Sequence, residues 1–171
     1  MTEGLSYYIQ RNLRESLSEV IKRAVNEALR EFTENKKLDS LITLEYKDIS
    51  SINRLVELLE NKINNFLKTT PDKVYCGIAQ YDPEDEKDGI RDRLLDHERR
   101  GGYRRTPVYA LRLNNAESVK ALETAMGENY DGINHRYTDC QENEGKGNEN
   151  TKIIYMFERG QAYMGPKPKN K

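Results

Sequence analysis

The stretch KVYCGIAQYDPEDEKDGIRDRLLDHERRGG, Lys73–Gly102, contains one strand, one loop and one helix in succession. "KVYCGIA" is short and apolar with β-branched and aromatic residues, which is typical of a strand. The loop "YDPEDEKDG" carries five acidic residues and one lysine. "IRDRLLDHERR" has helical apolar spacing, and a glycine pair stops it. Arg93 and His97 lie four positions apart and therefore share one face of this helix.

The chain downstream of this stretch repeats the alternation of strand and helix. "TPVYALRL" predicts a strand with alternating faces, and "NNAESVKALETAMGENY" predicts a helix capped by Asn114 or Asn115. A polar, glycine-containing loop leads to a last strand, "TKIIYMFE". We therefore expect an α+β domain over residues 71–160, with a small three-stranded sheet flanked by helices. A flexible basic tail is expected over residues 161–171.

The chain upstream predicts a helical N-terminal region over residues 1–70, made of two long amphipathic helices. The first has one apolar stripe from Gly4 to Asn35, with Glu and Arg on its other face. It either packs on the rest of the chain or forms a homo-oligomer. "NKKLDS" predicts a turn, and "LITLEY" a short strand or an extended linker. The second helix follows Ser51 and ends before Pro71.

Composition limits the classes of function. The 171 residues carry a net charge of -1, so the overall charge does not indicate a nucleic-acid binder. We expect no membrane segment, because no apolar run approaches the ~20 residues that span a bilayer. The two cysteines predict a reducing, cytoplasmic setting, and the chain offers too few clustered Cys and His residues for a zinc site.

Local charge is more informative than the total. Six arginines and three acids lie within and just beyond the helix that carries His97, which leaves this region positive. Arginine binds oxyanions through a bidentate fork, so the region suits phosphate contacts, or it is a solvated face with internal salt bridges. The arginines are Arg91, Arg93, Arg99, Arg100, Arg104 and Arg105.

The order of these motifs resembles the GIY-YIG nuclease superfamily over about residues 73–157. "VYCGIA", with Tyr75, looks like that family's second signature strand. "RLLDH" looks like its Arg-x-x-x-His helix, with Arg93 and His97. "AESVKALE" looks like the later helix that carries the family's glutamate, here Glu123. The resemblance implies a divalent-metal-dependent endonuclease that hydrolyses DNA, as in a small nuclease of a phage or mobile element.

The resemblance also implies residue roles. Glu123 would hold Mg²⁺ or Mn²⁺. A single carboxylate ligand suits magnesium, because this ion accepts one carboxylate and keeps most of its waters. Arg93 would bind the scissile phosphate. Tyr75 would position or deprotonate the attacking water, or help hold the phosphate, and His97 would donate to the phosphate or relay a proton. DNA-binding residues would be Arg99, Arg100, Arg104 and Arg105, with either Asn134 or Asn148 as the family's asparagine.

The family's first signature strand, with its tyrosine, is not visible before "VYCG". Tyr46 is one candidate for this second tyrosine, and the others are Tyr103, Tyr109 and Tyr155. An enzyme needs Tyr75, Arg93 and Glu123 on one concave patch. The alternative is a non-catalytic module that binds nucleic acid or protein and uses the first helix as its interaction surface.

Overall fold

The computed structural model describes residues 2–70, 73–129 and 148–160, with side chains from residue 16 in the first helix and to residue 127 in the last. Within these residues, four α-helices alternate with four strands. The elements are α1 (Thr2–Leu41), β1 (Ile42–Tyr46), α2 (Ile52–Lys62) with a π-helical turn (Ile63–Leu67), β2 (Val74–Ala79), α3 (Asp88–Arg99), β3 (Val108–Arg112), α4 (Ala116–Asn129) and β4 (Ile153–Glu158).

The α+β class is confirmed, but the sheet has four strands rather than three, in the order β1-β3-β4-β2. β1 pairs parallel to β3, and the other two pairings are antiparallel. The additional strand, β1, lies in the segment "LITLEY", for which the sequence predicted either a short strand or an extended linker. Ile42 is buried there, and its pairing with Val108 places β1 at the sheet edge.

Helices cover both faces of the sheet. Helices α2 and α4 pack on one face, where β2 contributes Val74 and Cys76. Helix α3 packs on the other face, where β2 contributes Tyr75 and Ala79. Successive side chains of a strand point to opposite faces, so this alternation decides which helix Tyr75 meets.

The chain divides into two compact units, Met1–Lys37 and Leu38–Lys171. Helix α2, which the sequence assigns to a helical region over residues 1–70, packs against the sheet within the second unit. The last turn of α1 also belongs to that unit, because Leu38 is fully buried in its core. The basic tail expected at 161–171 lies outside the described residues.

"NKKLDS" does not form the predicted turn but continues α1 to Leu41. The Lys87 ammonium donates hydrogen bonds to the carbonyl oxygens of Asp39 and Ile42, each at 2.9 Å. A cation at this position satisfies carbonyls that a helix end leaves free and interacts favourably with the helix dipole. A contact 48 residues away in sequence, between Lys87 and Asp39, thus favours the longer helix.

One buried arginine, Arg91, pairs with part of the acidic segment before α3 and with the end of α1. Arg91 donates to Asp39 at 2.9 Å, to Asp88 at 3.2 Å and to Asp85. The hydrogen bond from Arg91 lowers the pKa of Asp85. Glu86 pairs with Arg112 at 3.2 Å, so three of the five acidic residues of this segment are ion-paired within the fold. No helix among the described residues has the length and apolar character needed to cross a membrane.

Candidate functional site

Tyr75, His97 and Tyr155 form a cluster between α3 and the sheet. His97 points inward because it follows the buried Ile90 and Leu94 at helical spacing. Its Nε2 lies 2.9 Å from the Tyr155 hydroxyl. The Tyr75 ring lies 4.3 Å from the His97 ring, measured between centroids. Strand alternation and helical periodicity together bring these three polar aromatic side chains into contact.

Gly77 leaves room for the hydroxyls of both Tyr75 and Tyr155. It pairs with Tyr155 across the β2–β4 ladder. A Cβ atom at Gly77 would lie 2.9 Å from the hydroxyl of Tyr75 and 2.9 Å from that of Tyr155. Any side chain at this position would displace one of the tyrosines, so the glycine is a requirement of the cluster.

The cluster is part of the core. Relative exposure is 8% for Tyr75, 5% for His97 and 1% for Tyr155, and Phe157 stacks on Tyr75 with a centroid distance of 5.2 Å. Burial lowers the pKa of His97 from its ordinary 6.5 to about 4. The imidazole is therefore neutral at pH 7, with one nitrogen that donates and one that accepts a hydrogen bond.

Arg93 lies one helical turn before His97 and faces solvent. It lines an open cleft of about 680 Å³ between the end of β2, the first turns of α3 and the segment that precedes β4. The cleft contains four aspartates and three cationic side chains, so it has no strong single charge. These residues are Asp82, Asp88, Asp92, Asp96, Arg93, Arg99 and Lys152.

Glu123 lies on α4, a helix that packs on the opposite face of the sheet from Tyr75. Its neighbour Leu122 is buried against α2 and the face of β2 that carries Val74. The structure thus brings Tyr75 and His97 together, with Arg93 one turn away, but it does not bring Glu123 into the same cluster. No group of three or more His, Cys, Asp and Glu side chains within the described part of the chain is arranged to hold a metal ion.

Most of the arginines predicted to bind DNA are engaged in local ion pairs. Both Arg99 and Arg100 reach Asp96, at 3.5 Å and 2.8 Å. Arg105 pairs with Glu98 at 2.7 Å. Arg104 is exposed and lies beside Gly160. These arginines therefore form largely a solvated face with internal salt bridges, which is one of the two alternatives that the sequence allowed.

The two asparagine candidates have different outcomes. The Asn148 side-chain oxygen accepts the backbone N–H of Asn150 at 2.9 Å, which stabilises the turn before β4. Asn134 lies outside the described residues.

Of the candidates for the second tyrosine, Tyr155 is the one that lies beside Tyr75. Of the other candidates, Tyr103 donates to the carbonyl oxygen of Thr106 at 2.9 Å, and Tyr109 lies in the core on the α2 and α4 face. Tyr46 lies with Arg112, whose guanidinium is 5.2 Å from its ring. The alternation of side chains in "IIYMFE" predicts which residues of this strand share a face with Tyr155. Which face of the sheet that is depends on the pairing of β4 with β2.

Comparisons with protein-family models, with curated proteins and with solved structures give no match to this chain. The GIY-YIG resemblance therefore stays a prediction that rests on the short motifs themselves.

Proposed function

We propose that this protein is a non-catalytic binding module that uses α1 to bind another protein. The observation that carries this proposal is a row of large apolar side chains on α1, each between 50% and 60% exposed. Contiguous apolar surface of this kind marks interaction sites on soluble proteins. The row consists of Leu17, Val20, Ile21, Val25, Leu29 and Phe32, and we call it the α1 stripe.

The α1 stripe has the geometry of a helix-docking face. At about 100° per residue, its side chains and the intervening Ala24 and Ala28 fall within about half of the helix circumference. The other half is polar, and the polar residues that fall within the apolar half are Ser18, Glu31, Asn35 and Lys36. An amphipathic helix of this form binds a partner through side chains at i, i+3, i+4 and i+7.

The charge of α1 favours a protein partner over nucleic acid. Residues 16–37 contain five basic and four acidic side chains, which is close to neutral. Binding to a phosphate backbone requires a basic stripe instead.

The α+β body supports a non-catalytic role. Tyr75 and His97 are packed in the core, while Glu123 belongs to the helix on the opposite face of the sheet. A catalytic group must come within hydrogen-bond reach of the substrate. Self-association through α1, in the cytoplasm that the cysteine content predicts, is the simplest form of this proposal.

The test compares three tagged forms of the full chain expressed in cells beside a differently tagged copy. The stripe variant carries Leu17→Gln, Ile21→Gln and Leu29→Gln, and the control carries Glu19→Gln, Asn26→Gln and Arg30→Gln on the polar face. Glutamine keeps helix propensity, which circular dichroism checks. We expect the wild type and the control to retain the same bound protein and the stripe variant to lose it. Equal binding by all three would contradict the proposal.

A second candidate is a divalent-metal-dependent DNA endonuclease of the GIY-YIG type. The observation that favours it is the Tyr75–His97–Tyr155 cluster, since Tyr155 supplies a second tyrosine beside the first, and Arg93 lies one turn away at a cleft. Magnesium held by Glu123 would stabilise charge on a phosphate oxygen. Among the described residues, Glu123 belongs to no group of three or more side chains arranged to hold a metal ion, so the metal remains a prediction of the resemblance.

The nuclease candidate predicts a specific effect of Glu123→Gln. If Glu123 holds the metal, plasmid cleavage should fall at least ~100-fold, because an electrostatic element of the transition state is lost. Arg93→Ala should weaken both cleavage and DNA binding. Supercoiled plasmid is incubated with Mg²⁺, Mn²⁺ or chelator, beside thermal melts of each variant. Cleavage by wild type with an equally active Glu123→Gln protein would refute the site, and no cleavage with any ion would favour the non-catalytic module.

A further inference from the structure

We infer that the partner of the α1 stripe is a second copy of this chain, with the two α1 helices parallel. The inference rests on the proposed function and adds the identity and the direction of the partner. Three properties of the described part of α1 carry it: the apolar area, the distribution of charge beside the stripe and the position of its small residues.

The apolar area is sufficient for a dimer. Six half-exposed side chains present on the order of 500 Å² of apolar surface, a large patch for a single protein. Two copies placed face to face would remove on the order of 1,000 Å² from water, which reaches the range of specific interfaces.

The charges beside the stripe are asymmetric. On a helical wheel, the charged residues next to the stripe are Glu27 and Glu31 on one flank and Lys22 and Lys36 on the opposite flank, whereas Arg23 and Glu34 lie further round the helix. In a parallel pair, each flank of one helix faces the opposite flank of the other. In an antiparallel pair, each flank faces its own equivalent, so that acidic side chains oppose acidic ones. Charge complementarity therefore selects the parallel arrangement.

The register follows from the spacing of these charges. In parallel helix pairs, a residue on one flank reaches the residue five positions later on the opposite flank of the partner. Glu31 and Lys36 have this spacing, so Glu31 of one copy would pair with Lys36 of the second copy, twice by symmetry. Ala28 lies midway across the width of the stripe but nearer to its C-terminal end, and its small side chain lets the two helices approach closely.

Cross-linking of the full chain tests the direction. In a parallel pair, Ala28→Cys brings two thiols within disulfide range, whereas an antiparallel pair centred on the stripe separates them by roughly 10 Å. We expect a disulfide-linked dimer for Ala28→Cys and none for Asn26→Cys on the polar face, with the unsubstituted chain as the control for the natural cysteines. Equal cross-linking of both variants, or none of either, would overturn the parallel arrangement.

Sedimentation equilibrium tests the partner and the charge pair. We expect a dimer that Lys36→Glu weakens about three- to tenfold and that the double exchange Glu31→Lys with Lys36→Glu restores. A monomer at every concentration would overturn the inference. If the stripe then still binds another protein in the tagged comparison, the proposed function stands alone, and if nothing binds the stripe, both fail.

Discussion

Arg91 and Arg93 are two positions apart on α3 and have opposite environments. The Arg91 side chain is buried and pairs with three aspartates, whereas Arg93 is exposed in the cleft. We expect Arg91→Met to lower the free energy of unfolding by about 2 kcal/mol, because its partners lose charge-assisted hydrogen bonds but remain partly in water. Arg93→Met should change it by less than about 0.5 kcal/mol. Urea denaturation measures both, and equal effects would contradict this assignment.

His97 makes stability depend on pH. Its pKa is lowered by burial to about 4, whereas in the unfolded chain it keeps its ordinary 6.5. As the pH is lowered, the unfolded state therefore binds a proton at a higher pH than the folded state does. The free energy of unfolding is thus unaffected by the titration of His97 above pH 6.5 and decreases as the pH is lowered from 6.5 towards 4. The loss approaches about 3 kcal/mol.

His97→Gln is the variant that isolates this effect, since glutamine does not titrate. Its free energy of unfolding should vary less than that of the wild type between pH 6.5 and 4.5, as measured by denaturant titrations at each pH. The second histidine, His135, is unchanged in both proteins and is therefore common to the comparison. Parallel pH profiles for the two proteins would show that His97 is not buried as a neutral group.

The junction of β2 and α3 depends on one glycine. A Cβ atom at Gly89 would overlap the backbone carbonyl oxygen of Gln80, which cannot rotate away as a side chain can. Gly89→Ala should therefore lower the free energy of unfolding by more than about 2 kcal/mol. Gly127→Ala on α4 is the matched control, because no atom lies within 4 Å of its added methyl group. This control should stabilise the protein by about 0.5 kcal/mol, and a thermal melt that ranks the two variants otherwise would contradict the packing.

Local pattern predicted the elements of the body well. The strands around Tyr75, Tyr109 and Tyr155 and the helices between them appear where alternation and helical spacing indicated. Asn115 caps α4 by accepting the backbone N–H of Ser118 at 2.8 Å, one of the two caps that the sequence offered. These features depend on neighbours in sequence, so the sequence alone is sufficient to predict them.

The features that sequence did not predict depend on distant contacts. The length of α1 depends on Lys87, and β1 is a strand because Ile42 pairs with Val108. Motif order could place Tyr75 near His97, since a strand and the next helix are adjacent. It could not place Glu123, because the side of the sheet on which α4 packs is a property of the whole topology. Tyr155 was one of several candidates until the strand order selected it.

At the scale of the whole molecule, the division after Lys37 separates two kinds of surface. The second unit has apolar cores on both faces of its sheet. In the first unit, the large apolar side chains that the structure describes, between residues 16 and 37, are exposed. In the second unit, the hydrophobic effect therefore acts mainly within the fold. In the first unit, exposed apolar surface is available for association.

Removal of residues 1–37 tests this division. The truncated chain keeps Leu38 and Asp39, which the body uses in its core and in its pairing with Arg91. We expect its free energy of unfolding to fall by less than about 1 kcal/mol relative to the full chain carrying the stripe substitutions, since exposed side chains contribute little to stability. Its mass by light scattering should be that of a monomer at concentrations at which the intact chain associates. A truncated body that still associates would place the interface on the sheet domain, and an intact chain that is strictly monomeric would remove α1 as the site of self-association.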